Sequence, residues 1–270
     1  MSKTVTLWVM ASVITVVTAA YQRLTGPTYP VSGTTWFEGA LVTYRFDRSH
    51  GGTSGAPVNI SIDEPDIRGT VLWKRFRSSD DWQMMVMSRE QDELTATLPS
   101  LPPAGKILYQ IRLERNDAVM LLPPEPVVIR YKGEVPLWIL IPHVMVMFGA
   151  MLVSTRTGLE YFRDRPSYTV LIRWTLGLLF AGGLILGPLV QFYAFDAWWT
   201  GWPYGTDLTD NKTAIAFLIW VGAAVALRRS QKPGGWIVAA SVVMLIVYLI
   251  PHSLFGSELD FTASADPGGQ

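Results

Sequence analysis

A chain of 270 residues in which 49% are hydrophobic and 16% charged is too apolar for an ordinary soluble enzyme, and its apolar residues come in blocks at a mean hydropathy of +0.25. Its 22 basic and 22 acidic residues cancel, which removes any argument from net charge for nucleic acid or a polyanionic substrate. The absence of cysteine excludes disulfides, thiolate metal sites, iron–sulfur clusters and thiol nucleophiles.

The first apolar block, 5–20, approaches the length of a membrane-spanning helix, about 20 residues. Two readings stay open. Lys3 as a basic leader and Thr18-Ala19-Ala20 as a small-residue cleavage site suit a signal peptide. A run slightly long for that purpose, with Trp8 and Tyr21 as interfacial anchors, suits an uncleaved anchor, the preferred reading. Residues 1–26 then supply the anchor or signal peptide and a short linker, and the following segment is exported on either reading.

From 27 to 134 the pattern changes to short β-rich runs separated by turn residues: 40–46, 58–62, 69–76, 83–87, 94–98, 107–113 and 127–131. Seven strands at this spacing predict an extracytoplasmic β-sandwich of two antiparallel sheets. Alternation is clearest in 107–113, where Ile107, Tyr109, Ile111 and Leu113 fall on one face and Gln110 and Arg112 on the other.

The segments Trp82 to Met87, Leu94-Thr95-Ala96-Thr97-Leu98-Pro99 and Pro102-Pro103-Ala104-Gly105-Lys106-Ile107-Leu108-Tyr109-Gln110-Ile111 resemble the later strands of immunoglobulin-like or fibronectin-III-like modules. There a proline-glycine turn precedes a strand of the form Tyr-x-Ile-x-Leu. The resemblance covers about 40 residues and implies a fold class; the missing cysteine pair sets it apart from antibody domains. The whole chain also resembles bacterial inner-membrane proteins ordered as anchor, sandwich and helix bundle, a resemblance that implies location and no activity.

No catalytic constellation stands out in 27–134. His50, in His50-Gly51-Gly52-Thr53-Ser54-Gly55, reads as a solvated loop histidine. Asp63-Glu64-Pro65-Asp66 reads as a solvated turn, its carboxylates too few for calcium. Lys74, Arg75 and Arg77 with Trp73 and Phe76 read first as the polar face of a strand, second as a contact for headgroups or a partner.

Residues 135–255 hold four further candidate spans, 137–154, 170–192, 213–227 and 236–255, a four-helix transmembrane domain. The third contains Gly182, Gly183 and Gly187 before Pro188, which favours close helix approach and a bend. The fourth is short unless Asn211 and Lys212 lie in the interface, where the lysine reaches for water. Arg173 is the one charge inside a predicted span, near its end, and snorkelling accounts for it. Arg156, Arg163 and Arg165 in one loop and Arg228, Arg229 and Lys232 in the next but one mark the cytoplasmic side; Asp196, Asp207 and Asp210, and the acidic tail 256–270, mark the outside. The predicted topology is N-in, C-out, with a flexible tail.

The best candidate site is the repeated string Ile-Pro-His, at Ile141-Pro142-His143 and Ile250-Pro251-His252. At about 1.5 Å per residue the histidines lie roughly 20 Å and roughly 24 Å from the inner boundary, a shared level where ionisable groups are scarce. Pro142 suits an early helical position, while Pro251 leaves a carbonyl for another group to satisfy. The plainest reading makes both histidines interfacial and hydrogen-bonded. Sharper ones are axial ligation of a haem b by His143 and His252, a divalent metal with Asp207 or Asp210, or a quinol headgroup. Trp198, Trp199 and Trp202 predict a loop lying flat in the interface, or a lid whose Trp198, Trp202, Asp207 and Asp210 face a ligand.

The functional expectation is a non-catalytic accessory or interaction subunit of an inner-membrane assembly, with the bilayer and other membrane subunits as partners and no nucleic acid. Its alternative is a haem b- or quinol-interacting redox protein with a site at the outer face.

Overall fold

A computed structural model describes residues 2–251, 259, 261 and 262. The chain contains both helices and β-sheets and forms two compact units, one from the described residues of Met1–Pro27 and Val135–Ser257, the other from those of Thr28–Glu134 and Glu258–Gln270.

The β unit has strands β1 (Val31–Phe37), β2 (Ala40–Phe46), β3 (Ser49–Gly51), β4 (Pro57–Ser61), β5 (Arg68–Arg75), β6 (Gln83–Val86), β7 (Ser88–Glu90), β8 (Glu93–Thr97), β9 (Lys106–Arg115) and β10 (Ala118–Lys132). They form two five-stranded sheets, β1-β2-β4-β8-β7 and β3-β10-β9-β5-β6. Both sheets feed one core: Val42, Phe46, Val58, Ile60 and Leu94 from the first, Val71, Ile111, Ile129 and Tyr131 from the second. The alternation read in β9 is the cause, since Ile107, Tyr109, Ile111 and Leu113 all point into that core. The two buried phenols find acceptors: Tyr109 Oη donates to Asp47 O (3.0 Å) and Tyr131 Oη to Pro99 O (2.8 Å).

Two differences from the sequence reading have physical causes. β1, β3 and β7 are additional strands; β1 carries little burial of its own and exists as the hairpin partner of β2, while β3 and β7 are three residues each. The expected strand 127–131 is the end of the much longer β10, whose register with β9 shifts between Leu122 and Val127. Pro123, Pro124 and Pro126 have no N–H for the ladder there, and two carbonyls of the shifted stretch are met by the buried Gln110 side chain, which donates to Pro123 O (2.7 Å) and Pro124 O (3.0 Å).

The helical unit contains α1 (Lys3–Thr25), α2 (Leu137–Leu159), a 3₁₀ turn (Glu160–Phe162), α3 (Thr169–Leu179), a π-helical segment (Phe180–Leu186), α4 (Gly187–Phe195), α5 (Leu208–Arg229) and α6 (Gly234–Leu249). Among the described residues four helices are long and apolar enough to cross a membrane, Lys3–Thr25, Leu137–Phe162, Thr169–Phe195 and Leu208–Arg229. Most of their apolar surface is not buried by the protein: Val13, Val16, Trp138, Met145 and Leu218 point outward, an arrangement that lipid tolerates and water penalises. This marks a membrane protein.

α2 lies against α1, α3, α6 and the π segment. Small residues at the contacts, Ala150, Ala216, Ala223 and Ala240, let the helices approach closely around Trp220, Met151 and Met244. The second predicted span continues five residues further, to Leu159, and the fourth begins earlier, at Leu208, because their polar ends are packed inside the bundle. The fifth is shorter than expected: α6 has 16 residues, and of the predicted 236–255 the part from His252 on lies outside the described residues. Of the tail, Leu259, Phe261 and Thr262 are described; Leu259 N–H donates to Ala104 O (3.4 Å), and the Phe261 ring lies 4.8 Å from the Arg75 guanidinium.

Candidate functional site

His143 sits in the second turn of α2, after a proline that is deeper in the helix than expected. Pro142 is the sixth residue of α2, so its missing N–H leaves Trp138 O without its usual helical partner. The His143 ring turns towards the neighbouring π segment, where Nδ1 lies 3.0 Å from Gly182 O. A carbonyl only accepts, so Nδ1 carries the hydrogen, and in the neutral ring Nε2 keeps its lone pair. The π segment precedes Pro188, in the first turn of α4, and the Gly187 N–H reaches back to Gly182 O. Close approach requires its glycines: a Cβ on Gly182 would lie 2.8 Å from Met147 Sδ, and one on Gly183 2.7 Å from Thr213 Cγ2.

Asp207 and Asp210 hold the aromatic loop in place. Asp207 caps α5, accepting from Thr209 N (2.7 Å) and Asp210 N (3.4 Å). Asp210 is buried and accepts from Thr200 N (2.6 Å), Gly201 N (3.0 Å) and Thr200 Oγ1 (3.3 Å), while Gln191 Nε2 donates to the same threonine (2.6 Å). Gly201 has room for no side chain, its Cβ position lying 2.6 Å from Asp210 Cβ. Trp202 N donates to Asn211 Oδ1 (2.7 Å), leaving the indole outside, and Trp198 stacks on Phe192 at 4.5 Å. Trp198 and Trp202 are both exposed.

The structure thus joins Asp207 and Asp210 to the tryptophan loop, but His143 hydrogen-bonds to neither aspartate among the described residues. His252 lies outside the described residues. Lys212 corrects the expectation of a snorkelling ammonium: at 4% exposure its Nζ turns inward and donates to Ile250 O (2.7 Å), at the end of α6 before Pro251. Tyr248 Oη likewise donates to Met147 O (2.6 Å), tying α6 to α2.

The opposite end holds charges that sequence reasoning placed in solvent. Arg156 belongs to α2, not to a loop, and with Glu160 it forms a buried ion pair, Nη1 to Oε2 2.6 Å, with side-chain exposures of 3% and 1%. Glu160 Oε1 accepts from Arg163 Nη1 (2.8 Å) and Ser167 N (2.9 Å), and the Arg156 guanidinium lies 5.5 Å from the Trp8 ring. Two adjacent hydroxyls, Ser154 Oγ and Thr155 Oγ1, are buried without a hydrogen-bond partner. Thus Arg173, exposed on α3, is not the one charge inside a span: Arg156, Asp210 and Lys212 lie within helices too. The signal was present as arginine and glutamate four residues apart, continuing the helical register past the apolar run.

In the β unit His50 lies in β3, beside β10, with Nε2 3.2 Å from Ser54 Oγ and its ring edge-on to Tyr131. That replaces the solvated loop, because the pairing with Tyr131 orders the segment. Glu64 of the acidic string reaches Arg115 (3.2 Å). Of the basic set, Arg75 grips Asp80 with two bonds (2.6 and 2.7 Å), which hold the Asp80 carboxyl below the usual carboxylate range, and Lys74 lies 5.5 Å over the Trp82 ring. The outward face of the second sheet is different. One register row runs Val86, Thr70, Arg112, Leu121 across β6, β5, β9 and β10, and Met84 and Val86 of the edge strand are 69% and 78% exposed.

No family profile matches the chain, and a search of curated proteins finds no match to it.

The buried ion pair makes a direct prediction. Glu160→Ala leaves Arg156 buried without its countercharge and should destabilise the protein by about 3–5 kcal/mol, whereas Arg156→Met with Glu160→Leu should recover most of that loss. Thermal or denaturant unfolding in detergent measures both; a double variant as unstable as the single one would show that the charges do not support each other.

Proposed function

We propose that this protein is a non-catalytic accessory or interaction subunit of a bacterial inner-membrane assembly, and that its β unit is an immunoglobulin-like sandwich that binds partner proteins on the extracytoplasmic side. The observation that carries this is the outward face of the second sheet, where exposed Met84, Val86, Val119 and Leu121 flank the Arg112–Glu114 ion pair (2.7 Å). A row of apolar side chains around a small polar centre, next to the free edge of β6, is the composition of a protein interface. The immunoglobulin-like reading is supported by the strand order, in which the chain leaves the first sheet after β2, pairs β3 in parallel with β10, and returns to the first sheet with β4. Against catalysis stands the use of the candidate polar groups as structural ties, Asp210 for the loop and Lys212 for the end of α6.

Gentle detergent extraction, native sizing and mass spectrometry test this. A stoichiometric companion protein is expected, and Met84→Lys with Val86→Lys should release it while leaving the monomer folded; a monodisperse monomer without a reproducible companion would overturn the reading.

The proposed topology is N-in and C-out, motivated by the basic loops around Arg163 and Arg229. Reporter fusions after Arg165 and after Lys232 should read cytoplasmic, and those within 100–106 and 200–206 external. An external signal after Lys232 would refute it.

A second reading, a haem b or quinol site, is favoured by one observation: Gly182 O fixes the ring of His143 so that Nε2 remains able to ligate or accept. It predicts a b-type visible absorption in protein purified with adequate haem supply, lost in His143→Ala. A colourless preparation would remove the haem form.

A further inference from the structure

Among the described residues, one end of the helical unit collects more cations than the acids there can balance. Lys3 at the start of α1 contacts Asp164 in the loop after α2 (2.8 Å), and a Cβ on Gly234 at the start of α6 would lie 2.8 Å from Tyr161 of the same loop, so these termini share one end. The acids present among the described residues there are Glu160 and Asp164, and both already have cationic partners: Glu160 contacts Arg156 and Arg163, Asp164 contacts Lys3. Arg165, Arg173, Arg228, Arg229 and Lys232 remain, all exposed and none in an ion pair with another described residue. The buried Glu160 also orients Arg163: one guanidinium nitrogen is bound at 2.8 Å, while the side chain stays 34% exposed.

Next to these charges the surface is apolar and aromatic. Phe162 directly precedes Arg163, Trp174 directly follows Arg173, and Val170 and Trp236 are exposed on the adjoining first turns of α3 and α6. A ligand that fits both features has an anionic head and apolar tails. Nucleic acid or an acidic peptide would meet the charges and leave the aromatic collar exposed.

We infer that this end of the helical unit binds an anionic phospholipid, with its phosphate at Arg163 and Arg165 and its acyl chains along the outward faces of α2 and α3. The buried Arg156–Glu160 pair is the base of the site, because it fixes Arg163 at the edge of the bundle. Juxtamembrane lysines and arginines each add to the attraction of anionic lipid, and basic pockets between helices bind such headgroups. The inference uses the membrane-spanning character of the helices and is independent of any partner of the β unit.

The test uses the full chain in detergent, with phosphatidylglycerol or phosphatidylcholine added in mixed micelles, and reads retained lipid by native mass spectrometry alongside thermal unfolding. Phosphatidylglycerol should be retained selectively and raise the melting temperature. Arg163→Gln with Arg165→Gln should weaken its binding about 25-fold, roughly fivefold per cation. Arg228→Gln with Arg229→Gln removes the same charge elsewhere on this end and should cost less. Should the first pair prevent folding, Arg165→Gln alone should still weaken retention about fivefold. Equal retention of the two lipids, equal losses in the two charge-matched pairs, or full stabilisation by inorganic phosphate alone would each overturn the proposal, the last by showing a free-anion site.

Discussion

The contact between Arg156 and Glu160 is what allows the C-terminal end of α2 to lie inside the helical unit. A single buried charge would be expelled or neutralised, whereas an arginine and a glutamate four residues apart on one helix compensate each other before any neighbour is considered. Ser154, Thr155, Thr157 and Gly158 around Arg156 are small, and this stretch receives α6 closely: Ser241 Oγ donates to Ser154 O (3.0 Å), and a Cβ on Gly158 would lie 2.5 Å from that same hydroxyl. Trp8 of α1 covers the guanidinium from another side. The pair therefore bears on the seating of α1 and α6 against α2 as well as on the length of α2.

At the other end of the bundle the governing constraint is the backbone carbonyl. Helix breaks and helix ends in an apolar medium leave acceptors that water cannot reach, and side chains must supply the donors. Lys212 does so for Ile250 O at the end of α6, while His143 and Tyr248 add bonds to Gly182 O, which also accepts from Gly187 N–H, and to Met147 O within α2. Each carbonyl belongs to a different segment, so the three bonds connect α2 to the π segment, α6 to α2, and α5 to the end of α6. His143 consequently has a structural task whether or not its second nitrogen has a ligand.

The sequence was most legible where periodicity and burial coincide. Ile107, Tyr109, Ile111 and Leu113 alternate because one side of β9 faces the core, and the pattern shows this directly; that Gln110 on the other side is buried against Pro123 and Pro124 does not show in it. The long apolar helices were legible for the same reason, and so was the role of Gly182 and Gly183 in close packing. What escaped was decided by partners distant in sequence. Lys212 looks like an interfacial lysine until α6 ends beside it, and Arg156 looks like a loop arginine until α2 extends through it and Trp8 of α1 lies over it. Three prolines argue against a strand until Gln110, on the neighbouring β9, donates to the carbonyls of Pro123 and Pro124 where the register shifts. The candidate site was legible only in part: the sequence puts the aspartates and the tryptophans in one loop, but nothing local indicates that Asp210 serves the Thr200 and Gly201 backbone.

These assignments separate groups that maintain the fold from groups left over. Asp210, Lys212, His143, Arg156 and Glu160 all have structural partners, and in the β unit Arg75 is held by Asp80 and Glu64 by Arg115. The surplus lies on surfaces: apolar side chains on the second sheet and unpaired cations at one end of the helices. A binding protein requires that distribution, because recognition draws on exposed groups that the fold does not use, whereas a catalytic centre requires convergent polar groups kept out of structural bonds. Nε2 of His143 is a single nitrogen held in a defined orientation, and one nitrogen needs a second ligand group or a bound headgroup before it can act. The two proposed associations, of the β unit with protein and of the helices with lipid, both draw on groups that the fold leaves unused.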